Sequence, residues 1–129
     1  MDNKKKKYYD SLFIVSAFYD WILGAAFLLF YKPVFDLLAI EIPANTSYMS
    51  LAAAFVFVSG FLYYFAYKNF QASRDLIKMG IIYKFFYVAV GIYYLSIGQL
   101  PHPIFLVFGI MDATFIVFYF EFLNYTKKG

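Results

Sequence analysis

Four apolar runs, each about the length of a membrane-spanning helix, occupy most of this 129-residue chain. A helix that crosses the hydrocarbon core of a bilayer needs about 20 predominantly apolar residues. The sequence therefore predicts an all-α integral membrane protein that forms a single four-span domain over residues 1–129. The predicted spans lie at about residues 11–31, 47–67, 76–98 and 104–123.

The composition also favours a membrane protein over a soluble one. Hydrophobic residues make up 64% of the chain and charged residues only 15%, whereas about a quarter of the residues of a soluble domain are charged. A soluble domain of this size could not bury so much apolar surface, because small domains leave a large share of their surface in water. We expect the lipid bilayer to cover the remainder.

In the predicted four-span topology, all lysine and arginine residues except Lys32 and the intramembrane Lys84 lie on one side of the membrane. Basic residues concentrate in cytoplasmic connections. The bias predicts an antiparallel four-helix bundle in the plasma membrane, the inner membrane of a bacterium, with both termini in the cytoplasm. Because topology accounts for the positive charge, no nucleic-acid partner is predicted. The cytoplasmic set comprises Lys4 to Lys7, Lys68, Arg74, Lys78, Lys127 and Lys128.

Two connections on the predicted outer side have distinct patterns. The segment "KPVFDLLAIEIPANT" is too apolar for a solvated loop and predicts a short helix in the membrane interface, with a longer first span as the alternative. Pro101 and Pro103 predict a tight hairpin between the last two spans. His102 lies between them and is interpreted as a loop residue.

Three ionisable residues fall inside the predicted spans: Asp20, Lys84 and Asp112. Each costs about 2.5 to 3.5 kcal/mol at the centre of a spanning helix. They share helix faces with small residues, which allow close helix contact in lipid, so we expect them to face inward. The pattern favours an ion pair between Lys84 and Asp112. Asp20 is then left over, as a neutral acid hydrogen-bonded to a tyrosine hydroxyl or to the same lysine.

Tyrosines complete the predicted polar core. Tyr64 and Tyr87 lie at depths where a hydroxyl group needs a partner, and with the three ionisable residues they are the predicted ligand-binding or polar-core residues. Two roles stay open for this set. Buried polar groups can hold helices in register without any chemistry, or they can line a cavity for a lipophilic ligand or a proton.

The sequence contains no pattern of a catalytic site. It has no cysteine and one histidine, which excludes thiolate metal sites and a bis-histidine haem site within one chain. A phosphate-binding loop and a nucleophile beside a base are also missing. No catalytic residue, metal site or cofactor is predicted, and a non-enzymatic role is favoured. A quinone or a lipid needs only aromatic walls and a few polar contacts, so either remains a candidate ligand.

The segments "LLFYKPVF", "IEIP", "YKFFYV" and "GIMDATFIVFYF" resemble the DoxX-like group of small four-helix bacterial membrane proteins, and the similarity extends over nearly the whole chain. The resemblance implies a four-helix bundle with both ends cytoplasmic, with Lys84 and Asp112 at the polar positions of the family. It also implies an association with quinone-linked oxidoreductase complexes, often as an accessory subunit. The chain lacks a cofactor motif, which argues against a self-contained redox role.

The favoured hypothesis is thus a small multi-pass membrane protein with a polar intramembrane site. It would act as an accessory or lipophilic-ligand-binding component of a membrane complex, with a membrane oxidoreductase or a second copy of the chain as the protein partner. One alternative is a small proton-coupled transporter that works as a dimer. Another is a structural scaffold that joins a larger complex through its small-residue helix faces.

Overall fold

Every long apolar run of the sequence forms a helix. The computed structural model describes residues 3–69, 73–100 and 102–126, and these fold into five α-helices without a strand. Four of them are long and apolar enough to cross a membrane, which confirms the number and order of the predicted spans. The helices are α1 (Asn3–Leu29), α2 (Tyr31–Leu38), α3 (Ser47–Lys68), α4 (Ser73–Ser96) and α5 (Ile104–Thr126).

The short helix α2 confirms the prediction of a separate apolar helix over the alternative of a longer first span. The backbone leaves helical geometry at Phe30, with φ −122° and ψ 28°, and resumes it at once in α2. Pro33 lies in the first turn of α2, where the missing N–H costs no hydrogen bond. The helix ends at Ala39, whose left-handed φ of 57° turns the chain away from the helix axis.

Side-chain contacts show which helix ends lie together. The Tyr9 ring of α1 meets the Phe122 ring of α5 with centroids 5.1 Å apart. Arg74 of α4 donates hydrogen bonds to the Leu123 carbonyl and the Thr126 hydroxyl of α5. The start of α1, the start of α4 and the end of α5 therefore occupy one end of the molecule. The predicted tail lysines Lys127 and Lys128, like Pro101 of the predicted hairpin, lie outside the described residues.

The four long helices contact one another in the cyclic order α1, α3, α4, α5. The most extensive contact is between α1 and α3, followed by α4 with α5 and α3 with α4, and α1 touches α5 along a shorter stretch. The helices α1 and α4 consequently face each other across the centre. Side chains that extend inward from these two helices meet in the interior, which is how a residue of the first span reaches a residue of the third.

Close approach of α1 and α3 depends on glycine. A Cβ atom added at Gly24 would lie 2.5 Å from the backbone nitrogen of Phe57, so the two backbones touch there. The Trp21 indole occupies the corresponding space above Gly60. In lipid there is no hydrophobic force between helices, because lipid tails are as apolar as the side chains. Small residues stabilise helix association there because they let the backbones approach closely. The predicted small face of the first span is confirmed, since Ser16, Ala17, Asp20 and Gly24 are all buried.

Burial is uneven along the bundle. In the half that contains the start of α1, here called the closed half, aromatic side chains from three helices are buried and pack on one another. The other half, which contains α2 and is called the open half, has few buried residues. The five rings of the closed half are named the aromatic layer. The aromatic layer consists of Tyr9, Phe13, Tyr63, Tyr119 and Phe122.

Candidate functional site

The three ionisable residues of the spans meet at the centre of the bundle. The Lys84 ammonium lies 3.0 Å from an Asp112 carboxylate oxygen and 3.4 Å from an Asp20 carboxylate oxygen. All three side chains are almost completely buried, with 1%, 8% and 2% of the Lys84, Asp112 and Asp20 side chains exposed. We call this set the charged triad. The predicted ion pair between Lys84 and Asp112 is present, and all three residues face inward as expected.

The Asp20 carboxylate has more hydrogen-bond partners than the sequence suggested. Its first carboxylate oxygen accepts a hydrogen bond from Lys84 and its second accepts one of 2.6 Å from the Ser59 hydroxyl. The sequence left two partners open for Asp20, a tyrosine hydroxyl or Lys84. The structure selects Lys84 and adds Ser59, which the sequence analysis did not single out. Asp20 is therefore a second partner of the lysine instead of an isolated acid.

Aromatic rings enclose the ammonium group of Lys84. Its nitrogen lies 5.0 Å from the ring centroid of Phe115, 5.3 Å from that of Tyr63 and 5.4 Å from that of Tyr19. Cations are attracted to the faces of aromatic rings within about 6 Å. The lysine is thus held by two carboxylates and three rings, so its position is fixed from several sides.

Of the two tyrosines predicted for the polar core, Tyr87 lies near the charged triad and Tyr64 does not. Tyr64 packs against the Trp21 ring at a centroid distance of 5.8 Å and lies below Lys68, away from the charged triad. The adjacent Tyr63 is the one that is fully buried beside Lys84. Tyr87 lies one turn from Lys84 and lines a cavity. The structure thus brings together Asp20, Lys84 and Asp112, with Tyr87 nearby, and it separates Tyr64 from them.

A signal for Tyr63 was present in the sequence. Ser59, Tyr63 and Ala66 follow one another at helical spacing and are buried together. The sequence analysis chose Tyr64, which lies one residue further along the helix. One residue corresponds to a rotation of about 100° around the helix axis, and Tyr64 is only partly buried. Ser59 and Tyr63, four residues apart on the same helix face, indicate the buried side of this helix more accurately.

Next to the charged triad, the open half contains an apolar cavity of about 170 Å³. All five helices contribute to its wall, and the polar part of that wall is negligible. Gly24, Tyr87 and Phe108 of the wall each lie one helical turn from a member of the charged triad. Representative lining residues are Gly24, Phe35, Val56, Tyr87, Phe105 and Phe108.

The aromatic layer closes the opposite side of the charged triad. Tyr63 stacks on Tyr119 with centroids 5.4 Å apart and an interplanar angle of 28°. The Tyr119 hydroxyl donates a hydrogen bond of 2.5 Å to Ser16. Phe13 and Phe122 meet edge to face at 4.9 Å. The charged triad therefore lies between a densely packed aromatic region and an apolar cavity.

His102 behaves as a loop residue, as predicted. Its Nδ1 accepts a hydrogen bond of 3.0 Å from the Ile104 backbone N–H, which satisfies a free donor at the start of α5. Within residues 3–69, 73–100 and 102–126, no group of three or more metal-ligating side chains could hold an ion. The chain matches no family model, no curated protein and no solved structure at a significant level.

Proposed function

We propose that this small membrane protein binds a lipophilic molecule in the cavity of its open half, beside the charged triad. The observation that carries the proposal is the position of the cavity: it is lined by residues of all five helices and lies one turn from three buried ionisable residues. Ligand sites are commonly concave and apolar, with a few polar groups that orient the ligand. Ionisable residues inside a membrane are candidates for function by default.

The size and lining of the cavity suit an acyl chain or a small ring. An apolar cavity of about 150 Å³ stays dry and binds benzene in another protein, and this one has about 170 Å³. Several aromatic rings line it, including Phe27, Phe35 and Phe108. The resemblance to the DoxX-like group supports a quinone as one candidate and an oxidoreductase complex as one candidate partner, and membership of that group is part of the proposal.

The proposal includes an antiparallel bundle in the bacterial inner membrane with both termini in the cytoplasm. Contacts between the start of α1 and the end of α5 support it, as does the contact of Phe27 with Phe105, 6.0 Å apart, near the opposite end. The basic residues Lys5 and Arg74 lie at the end with both termini, where Lys5 is 3.6 Å from Glu121 and Arg74 binds the end of α5. Positive charge favours the cytoplasmic side.

Filling the cavity should remove the ligand. Ala52 lines the cavity but is exposed, so a larger side chain can enter the space without a clash in the core. We expect Ala52→Phe to lower the amount of lipophilic ligand that copurifies with the protein in lipid nanodiscs by about tenfold. Mass spectrometry of organic extracts measures this amount and identifies a quinone or a lipid.

The matched control is Ala89→Phe, the same change at an exposed residue of α4 that lines no described cavity. It should leave ligand content unchanged. Equal ligand content in both variants, or no enrichment of any lipophile over empty nanodiscs, would contradict the proposed function.

The proposed topology has a direct test because the chain has no cysteine. Single cysteines at Ala44, between α2 and α3, and at Asn124, near the end of α5, should react differently with a membrane-impermeant maleimide in whole cells. Both residues are exposed. We expect Ala44→Cys to be labelled in intact cells and Asn124→Cys to be labelled only after lysis. The reverse pattern would invert the orientation.

The structure gives less support to the two rival functions. A transporter must open the charged triad to both sides in turn, and the aromatic layer closes one of them. A scaffold that uses small-residue faces needs them on the outside. Gly24, Gly60 and Gly80 contact other parts of the same chain, whereas Gly91 and Gly109 face open space. Proton flux into vesicles that depends on Asp20, or a stable partner without any ligand, would favour the respective rival.

A further inference from the structure

The charged triad contains more acid than base. Among the described residues, Asp20, Lys84 and Asp112 are the charged side chains that are buried. With all three ionised they carry one net negative charge. Two of the four carboxylate oxygens accept a hydrogen bond from Lys84, and the second oxygen of Asp20 is bound by Ser59. The second oxygen of Asp112 accepts no hydrogen bond from any residue that the structure describes.

The surroundings of the charged triad add a second polar group without a partner. The Tyr19 hydroxyl is buried and makes no hydrogen bond within the described part of the chain. The Tyr19 ring lies 5.4 Å from the Lys84 nitrogen and 5.4 Å from the Phe115 ring. Both the free oxygen of Asp112 and the Tyr19 hydroxyl can accept a hydrogen bond. The site therefore has spare acceptors and, with both aspartates ionised, a surplus of negative charge.

A head group can approach the charged triad from one side. The aromatic layer fills the closed half, with Tyr63 and Tyr119 fully buried against the charged triad. The cavity lies one helical turn from it in the open half, with Gly24, Tyr87 and Phe108 between them. A surplus charge acts strongly across the distance of one helical turn because the surrounding dielectric constant is low. It attracts a cation in the cavity and repels an anion.

We propose that the ligand of this cavity is an amphiphile with a cationic head, such as a protonated long-chain amine, whose charge lies toward Asp112 and Asp20. This inference rests on the proposed function and specifies the chemical class of its ligand. The apolar wall holds the chain of the amphiphile. The cationic head balances the surplus carboxylate from one helical turn away. Tyr19 lines a neighbouring pocket that shares Leu23, Phe27 and Phe108 with the cavity wall. The aromatic rings around the charged triad also accommodate positive charge.

Three probes that share one chain test the head group: decylammonium, decan-1-ol and decanoate. Each is added to the protein in nanodiscs of zwitterionic lipid, and native mass spectrometry measures the bound fraction. Ala52→Phe protein in the same lipid corrects for partition into the bilayer. We expect decylammonium to bind about tenfold more tightly than decan-1-ol and decanoate to bind least. In Asp112→Asn the surplus charge is removed, so the preference for decylammonium over decan-1-ol should vanish while the alcohol still binds.

The outcomes separate this inference from the proposed function. If decan-1-ol binds the unaltered protein as tightly as decylammonium, or if decanoate binds best, the cationic head is wrong and the lipophilic site stands. If none of the three binds above the Ala52→Phe background, both the inference and the proposed function fail. If Asp112→Asn does not fold, Asp20→Asn removes the same charge, and the probe series on the unaltered protein decides the inference without either variant.

Discussion

Replacing Lys84 with methionine should destabilise the detergent-solubilised protein by about 3 to 5 kcal/mol. Methionine has a similar volume, so the change removes charge and little packing. It leaves Asp20 and Asp112 buried without their shared cation, since Lys84 lies 3.4 Å and 3.0 Å from them. Like charges in a low-dielectric interior repel strongly. The midpoint of thermal or denaturant unfolding measures the loss.

A double-mutant cycle attributes that loss to the ion pair. Asp112→Asn should also be destabilising, and the protein with both changes should lose less than the sum of the two single losses, because residues in one network are not additive. Lys78→Met is the matched control: Lys78 is on the same helix, is exposed and pairs with exposed Asp75 at 3.6 Å, so it should cost at most about 1 kcal/mol. Additive losses would contradict the pair.

Replacing Gly24 with leucine should cost about 3 kcal/mol or more, because it forces apart the most extensive helix contact of the molecule. Even the first added carbon would lie 2.5 Å from the Phe57 backbone nitrogen. Backbone atoms cannot move aside as the end of a flexible side chain can, so α1 and α3 must separate. Unfolding in detergent, followed by circular dichroism, measures the loss.

Gly91→Leu is the control for this change. A carbon added at Gly91 has no neighbour within 4 Å, and the helix interior gains about 0.5 to 1 kcal/mol when glycine is replaced by a residue with a Cβ. We expect the Gly91 variant to be as stable as the unaltered protein or slightly more so. Similar losses at Gly24 and Gly91 would show that the α1 and α3 backbones do not touch as described.

The sequence predicted the helices and the inward charges because both depend on local patterns. Spanning helices follow from run length, and buried charge in lipid must face protein, so Asp20, Lys84 and Asp112 could be placed together. The small residues around Asp20 then indicated the face of α1 correctly. The partner of a residue across the bundle depends on helix rotation, which is why Ser59 was missed and Tyr64 was chosen instead of Tyr63.

The cavity could not be predicted from the sequence. Its wall takes residues from five helices, and the volume left between them depends on how closely each pair packs. Phe35 of α2 is buried in that wall, although α2 was predicted only as a helix in the interface. The composition shows that the chain is rich in aromatic residues, but it does not show where their packing leaves a cavity.

The cavity beside α2 makes the two ends of the bundle unequal in compressibility. Hydrostatic pressure favours states that eliminate internal voids, so compression should act first where Phe35 and Phe108 border the cavity. The layer around Tyr63 and Tyr119 offers little volume to lose. Compression of this chain should therefore loosen the end that carries α2 while the opposite end keeps its structure.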